Sequence, residues 1–84
     1  MRNKDIINVT LAEKYPELEI REEEHRDACR YKKNGKTVFC IDYCKKGQVS
    51  FYKGSGNPYK KVIPINTEAE LNNMLEMIEK IMES

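Results

Sequence analysis

The sequence predicts an α+β fold in which an antiparallel sheet of three or four strands is flanked by an N-terminal and a C-terminal helix. Three observations support this fold: apolar residues recur at helical spacing at both ends, turn signals divide the middle into short β-rich segments, and 84 residues suffice for one domain. A chain of this length builds one modest core. We therefore expect a single domain over residues 1–84, with both helices on one face of the sheet.

The helix signals lie at the two ends of the chain. Asn3 is placed to cap a first helix over about residues 4–15. Thr67 and Glu70 form a capping box, because the hydroxyl and the carboxylate each satisfy a free backbone amide at a helix start. The second helix is therefore expected over about residues 67–83. Its apolar stripe comprises Leu71, Met74, Leu75, Ile78, Ile81 and Met82.

An Asn-Gly pair at 34–35 predicts the first hairpin, because both residues tolerate the positive φ of a type I′ turn. A regular hairpin around this turn pairs Tyr31 with Val38 and Cys29 with Cys40. Those four side chains would then face away from the helices.

The next turn, at 45–47, allows two registers. A two-residue loop divides the apolar residues of the two strands between both faces of the sheet. A three-residue loop with Gly47 in the left-handed conformation places them all on one face. Because the buried face fixes the register, we predict the three-residue loop. Arg30 then falls on the core face and must extend to its margin. The predicted core face comprises Ala28, Phe39, Ile41, Tyr43, Val49 and Phe51. The predicted outer face comprises Cys29, Tyr31, Val38, Cys40, Cys44, Ser50 and Tyr52.

Two further strands are expected beside these hairpins. Alternating residues predict a strand at about 17–23, ended by a bulge or turn near 24–27. A short strand is expected at 60–65, and Pro64 assigns it to an edge of the sheet. Between these regions, residues 54–58 have the composition of a flexible loop.

Charge is segregated along the chain. Residues 30–61 contain nine basic residues and one acidic residue, a net charge of +8, whereas residues 1–29 carry −3 and residues 62–84 carry −4. Six of the seven aromatic residues also lie in the basic block. This pattern favours an anionic partner, of which nucleic acid is the commonest. The predicted nucleic-acid-binding residues are Lys32, Lys33, Lys36, Lys45, Lys46, Lys53, Lys60 and Lys61, with Tyr31 and Tyr52 as stacking residues.

The sequence favours neither a metal site nor an enzyme. His25, Cys29, Cys40 and Cys44 form two cross-strand pairs in a regular hairpin, about 13 Å apart along the strand. One zinc ion holds its ligands within about 2.0–2.3 Å. The acidic run at 22–24 precedes that single histidine with no nucleophile nearby, and its carboxylates alternate between faces. We expect no cofactor, no metal and no catalytic residue.

The composition also suggests where the protein acts. No apolar run approaches the roughly 20 residues of a membrane span. The N-terminus lacks a signal-peptide core, and three cysteines without one suggest reduced thiols. We expect a cytoplasmic protein without membrane contact. The Lys-, Asn-, Ile- and Glu-rich composition is typical of an AT-rich bacterial or phage genome.

Several short motifs lie in a familiar order: Gly35-Lys36 opens a strand, Ile41 lies within it, Lys46-Gly47 forms a turn, and Thr67-Glu68-Ala69-Glu70 begins a helix. Residues 31–82, which contain these motifs, resemble the three-stranded DNA-binding domain of plant ethylene-response factors and the related arm-site-binding domain of tyrosine recombinases. The resemblance implies a sheet lying in the major groove, backed by one helix. It favours DNA over RNA.

Two alternatives remain open at this stage. A small, charge-segregated domain could be a phage or mobile-element inhibitor, similar to anti-CRISPR proteins, that blocks a host defence or nucleic-acid-handling protein. Its acidic face would then mimic nucleic acid, through Glu17, Glu19, Glu22, Glu23 and Glu24. The second alternative is a homodimer in which the basic sheet of one copy meets the acidic helix of the other. The oligomeric state is therefore expected to be monomer or homodimer.

Overall fold

A computed structural model of the chain describes residues 3–54 and 60–83. Five strands form one antiparallel sheet, in the spatial order of the chain. The predicted α+β arrangement is confirmed, but with five strands instead of three or four. Except for Gly54, the loop predicted at 54–58 lies outside the described residues. The elements are α1 (Asn3–Lys14), β1 (Glu19–Glu22), β2 (Ala28–Lys33), β3 (Lys36–Asp42), β4 (Gln48–Lys53), β5 (Lys60–Pro64) and α2 (Glu68–Met82).

The two predicted turn geometries are both present. Asn34 and Gly35 have φ values of 54° and 78°, which are typical of a type I′ turn. Lys33 pairs with Lys36 across that turn, as predicted. Gly47 has a φ of 80°, in the left-handed region, and β3 pairs with β4 in the register of the three-residue loop. The buried face therefore selects the second hairpin's register in the way the apolar pattern indicates.

The predicted register of the first hairpin is wrong beyond its turn. Lys32 pairs with Thr37, but Tyr31 pairs with Phe39, so Val38 is an extra residue in β3. This β-bulge shifts the rest of β2 by one position relative to β3. The backbone N–H of Gly54 donates to the carbonyl oxygen of Val38 at 2.9 Å.

The bulge exchanges the faces of β2. Cys29 and Tyr31, predicted on the outer face, are buried on the core face instead. Ala28 and Arg30 consequently lie on the outer face, because side chains alternate along a strand. The physical reason is burial: the bulge places the Tyr31 ring beside Phe39, with 4.6 Å between ring centroids.

One core lies between the sheet and the two helices. Ile7 and Leu11 of α1 and Met74 and Ile78 of α2 pack into the same cluster of buried residues as the core face of the strands. Both helices therefore cover one face of the sheet, as expected. The strand residues of this cluster are Cys29, Tyr31, Phe39, Ile41, Val49, Phe51 and Ile63.

The helices run side by side in the same direction. Near the start of α1, the Asn3 side-chain amide donates to the carbonyl oxygen of Ile65, which precedes α2. At the other end, the Tyr15 hydroxyl donates to the Glu83 carboxylate at 3.0 Å. Within the described ranges, neither helix is long and apolar enough to cross a membrane.

The capping box of α2 is confirmed. The backbone N–H of Glu70 donates to the Thr67 hydroxyl at 3.1 Å, and the Thr67 N–H donates to the Glu70 carboxylate at 3.1 Å. These bonds satisfy backbone amides that the first helical turn leaves unpaired.

Replacing Thr67 by Ala is expected to lower the free energy of unfolding by about 1 kcal/mol, because one capping bond is lost. Urea denaturation followed by circular dichroism measures the change. Thr67→Ser is the control, since it keeps the hydroxyl and should remain close to the wild type. Equal stability of the Ala variant and the wild type would contradict a stabilising cap.

Candidate nucleic-acid interface

The face of the sheet opposite the helices is uncovered over the described residues. Strand pairing aligns one residue from each strand across this face: Arg21 with Arg30, Arg30 with Cys40, Cys40 with Tyr52, and Tyr52 with Lys60. We call these five residues the outer row. Four of the five are cationic or aromatic, so the row presents groups suited to phosphates and planar rings.

One of the two neighbouring rows has smaller side chains. On one side, Ala28, Asp42, Ser50 and Val62 lie in register across β2 to β5. Val62 is 51% exposed, which is unusual for a large apolar side chain, so no described residue packs over this end of the row.

A shallow groove of about 420 Å³ lies on this face. Arg30 and Tyr52 line it together with the smaller side chains of Ala28, Cys40 and Asp42. Its floor comes from three adjacent strands, and Glu23, Arg26 and Gly54 from the connecting segments complete its rim.

The predicted lysines do not share one surface. Lys32 and Lys60 lie on the outer face, whereas Lys53 and Lys61 pair with the core residues Phe39 and Phe51 and emerge at the helix side of the sheet. The hairpin lysines occupy opposite ends, separated by the length of β3, about 20 Å. Lys33 and Lys36 flank the β2–β3 turn, and Lys45 and Lys46 lie in the β3–β4 turn.

The predicted stacking role of Tyr31 is wrong. Its side chain is 0% exposed and is stacked on Phe39 in the core. The Tyr31 hydroxyl donates to the Asn8 amide oxygen at 2.5 Å and lies 2.6 Å from the Tyr43 hydroxyl. Burial raises the pKa of Tyr31 far above its ordinary value. Tyr52, by contrast, is half-buried and faces outward as predicted.

The acidic residues are paired mainly with bases outside the lysine set. Lys14 lies 2.6 Å from Glu79, Lys4 lies 3.2 Å from Glu22, and Arg26 pairs with Asp42. Of the eight predicted lysines, Lys33 alone has an ion pair within residues 3–54 and 60–83, at 4.0 Å from Glu17. The acidic flanks therefore leave the lysine charges largely uncompensated.

Asp42 is the acidic residue of the basic block, and Arg26 compensates its charge. Burial by itself raises the pKa of Asp42, but hydrogen bonds from Cys44 and the Arg26 guanidinium outweigh burial and lower it below the usual value. The Cys44 backbone N–H donates to the Asp42 carboxylate at 2.8 Å. Asp42 is thus ionised near neutral pH without cancelling a lysine charge.

The residues of the alternative acidic face lie along the β1 edge and in the segment after it. Glu17 pairs with Lys33, Glu19 with Arg21 and Glu22 with Lys4. Glu23 lies 3.4 Å from Arg30, and Glu24 lies 3.8 Å from the ring of the exposed His25. All five glutamates are exposed, but their charges are largely shared with neighbouring bases.

The three cysteines occupy three different environments. Cys29 is buried in the core, Cys40 lies on the outer face, and Cys44 is exposed beside the β3–β4 turn. The bulge places Cys29 and Cys40 on opposite faces, so the cross-strand pair predicted for them does not form. In the described ranges, no three His, Cys, Asp or Glu side chains are grouped to hold a metal ion.

Sequence reasoning missed Arg30 as an outer-face residue. The regular register assigned it to the core-face margin, and the bulge moves it into the outer row beside Cys40. One available clue was that Tyr31 and Phe39 are both aromatic. They share the core face only if one residue bulges between them.

No protein-family model, curated protein or solved structure matches this chain. The similarity to the ethylene-response and recombinase domains therefore rests on the hairpin and capping residues alone.

Tyr31→Phe is expected to lower the free energy of unfolding by about 1–3 kcal/mol, because Asn8 and Tyr43 lose a buried hydrogen-bond partner. Tyr15→Phe is the control: its hydroxyl contacts the exposed Glu83, so a loss below about 1 kcal/mol is expected. Urea denaturation measures both variants. Equal losses would show that the Tyr31 hydroxyl has no special role in the core.

Alkaline pH is expected to destabilise the fold through Tyr31 and Tyr43. Burial raises the pKa of both hydroxyls in the folded chain, whereas an unfolded tyrosine ionises near about pH 10. Above about pH 10 the unfolded chain releases protons that the folded chain retains, so the free energy of unfolding falls as pH rises.

Urea denaturation at about pH 8 and about pH 10.5 measures this fall. Tyr31→Phe removes one of the buried hydroxyls and should reduce the fall. Identical falls in the wild type and the Tyr31 variant would contradict this origin.

Proposed function

We propose that this protein is a small, non-enzymatic, cytoplasmic nucleic-acid-binding protein that uses the uncovered face of its sheet. The observation that carries the proposal is the ion-pair pattern. Within the described residues, seven of the eight predicted lysines have no acidic partner, although acidic residues are almost as numerous as basic ones in the chain. Unpaired lysine charges are what a phosphate backbone neutralises.

The distribution of charge between the two sides of the fold supports this orientation. Over Glu68–Met82, α2 contains four glutamates and one lysine, a net charge of −3. The outer face carries Arg30, Lys32 and Lys60 on the opposite side of the sheet. A polyanion is therefore repelled by α2, whereas on the outer face these three cations outnumber Glu19 and Asp42.

The proposed contacts give affinity without defining a sequence. Lysine side chains contact phosphates, which are the same in every nucleotide, so discrimination among bases requires other groups. Lysines at both ends of β3 lie about 20 Å apart, which allows one ligand to contact both along the strands. DNA is proposed ahead of RNA.

The acidic-face alternative receives less support. A nucleic-acid mimic presents uncompensated carboxylates to its target protein, whereas Glu17, Glu19, Glu22 and Glu23 each contact a base of their own fold.

Fluorescence anisotropy with labelled single- and double-stranded DNA and RNA tests the proposal. Affinity is expected to fall at least tenfold between about 50 and 200 mM salt, because several phosphates are neutralised. Absence of binding at the lower salt concentration would overturn the proposal and direct the search to protein partners.

Lys60→Glu is expected to weaken binding several-fold and to reduce the slope of log affinity against log salt by about one or more, because a phosphate contact is lost. Lys80→Glu is the matched control: it makes the same charge change at an exposed lysine of α2, on the helix side. Equal effects of the two substitutions would mean that binding follows net charge and has no preferred face.

A further inference from the structure

The groove on the outer face passes over Cys40, whose thiol donates to the carbonyl oxygen of Gly54 at 3.8 Å. Arg30 and Tyr52 carry long, planar-ended side chains, and the short Cys40 side chain lies between them in register. All three residues line the groove on the outer face. We call the space between Arg30 and Tyr52 above Cys40 the slot.

The spacing of the slot follows from sheet geometry. Adjacent strands lie about 4.8 Å apart, so the Arg30 and Tyr52 backbones are separated by roughly 10 Å. Atoms in van der Waals contact lie about 3.5–4.0 Å apart. One flat ring inserted between a guanidinium plane and a phenol ring needs twice that distance, about 7–8 Å.

We propose that the slot binds one unpaired nucleobase of a single-stranded nucleic acid, stacked between the Arg30 guanidinium and the Tyr52 ring. This inference rests on the proposed function and specifies its ligand. Guanidinium planes and aromatic rings are the groups on which splayed-out bases stack.

The rest of the outer row fits the backbone of such a strand. Arg21 lies beyond Arg30 and Lys60 lies beyond Tyr52, so a cation stands on each side of the slot. A strand that crosses the sheet along the row would bring its phosphates to these cations and one base to the slot. A duplex keeps its bases stacked on one another, so it offers no free ring to insert.

The Arg30 side chain is held beside the slot by Glu23. Its guanidinium lies 3.4 Å from the Glu23 carboxylate, and both side chains are nearly half exposed. This contact restrains the guanidinium at the sheet surface, where the Arg30 side chain is 46% exposed. The paired Arg26 and Asp42 side chains line the same groove and offer hydrogen-bonding groups to the edge of a base.

The test compares a thymidine decamer with an abasic decamer, which keeps the phosphates and removes every base. The wild type is expected to bind the thymidine decamer roughly tenfold more tightly, the effect of one stacked base. Tyr52→Leu should abolish the difference, because the stacking ring is lost, and Tyr52→Phe should keep it. The uridine decamer serves as the RNA arm.

A second variant, Cys40→Leu, fills the slot with a larger side chain and changes no charged residue. Cys40→Leu should remove the preference for the thymidine decamer and retain binding to the abasic decamer. Ser50→Leu is the matched control, since it adds the same side chain to the neighbouring row of the outer face. A preference that survives Cys40→Leu overturns the slot.

The unmodified protein offers a direct readout. The bound thymidine decamer is expected to slow alkylation of the Cys40 thiol at least threefold without slowing that of Cys44, which lies outside the slot. Equal rates with and without the decamer overturn the slot. Binding both decamers equally overturns the slot but leaves the proposed function intact. Binding neither decamer overturns the slot, and it overturns the proposed function as well when duplex DNA and RNA also fail to bind.

Discussion

The fold depends on a single extra residue in the first hairpin. The Asn34-Gly35 turn fixes Lys33 opposite Lys36, and the bulge at Val38 shifts every later pair of β2 and β3 by one position. Because successive side chains point to opposite faces, that shift determines which residues of β2 are buried. It turns Tyr31 into the core and Arg30 onto the outer face. The core and the candidate interface are thus two consequences of the same backbone irregularity.

The buried Tyr31 joins the sheet to the first helix. Its ring stacks on Phe39, and its hydroxyl contacts Asn8 of α1 and Tyr43, which follows β3. Polar groups in a core are costly unless they are paired, so this network favours one position of α1 over others. With α1 and α2 both committed to the core face, the opposite face stays uncovered in the described chain. The outer face is therefore available to a ligand because both helices pack on the core face.

The arrangement of charge follows from the same one-sided packing. The acidic residues of α2 lie in the helix layer, and the pairs Lys14–Glu79 and Lys4–Glu22 hold that layer together or attach it to β1. These pairs use bases from outside the central block. Lysines of the block are left on the outer face, at the turns and at the sheet margin. A chain of net charge +1 therefore carries an excess of negative charge on α2 and an excess of positive charge at the turns and sheet margin.

The sequence by itself determined the two helices, both turn types, the α2 capping box and the edge position of Pro64, because each depends on local backbone preferences or on a strong apolar period. It also determined that Tyr52 faces outward, since the β3–β4 turn and five apolar residues agree on one register. Only the tertiary structure decided the bulge, and with it the faces of Cys29, Tyr31 and Arg30. A bulge costs little locally, so its position is selected by the burial of distant side chains. The partners of the acidic residues were likewise decided by packing, because they lie far apart in the chain.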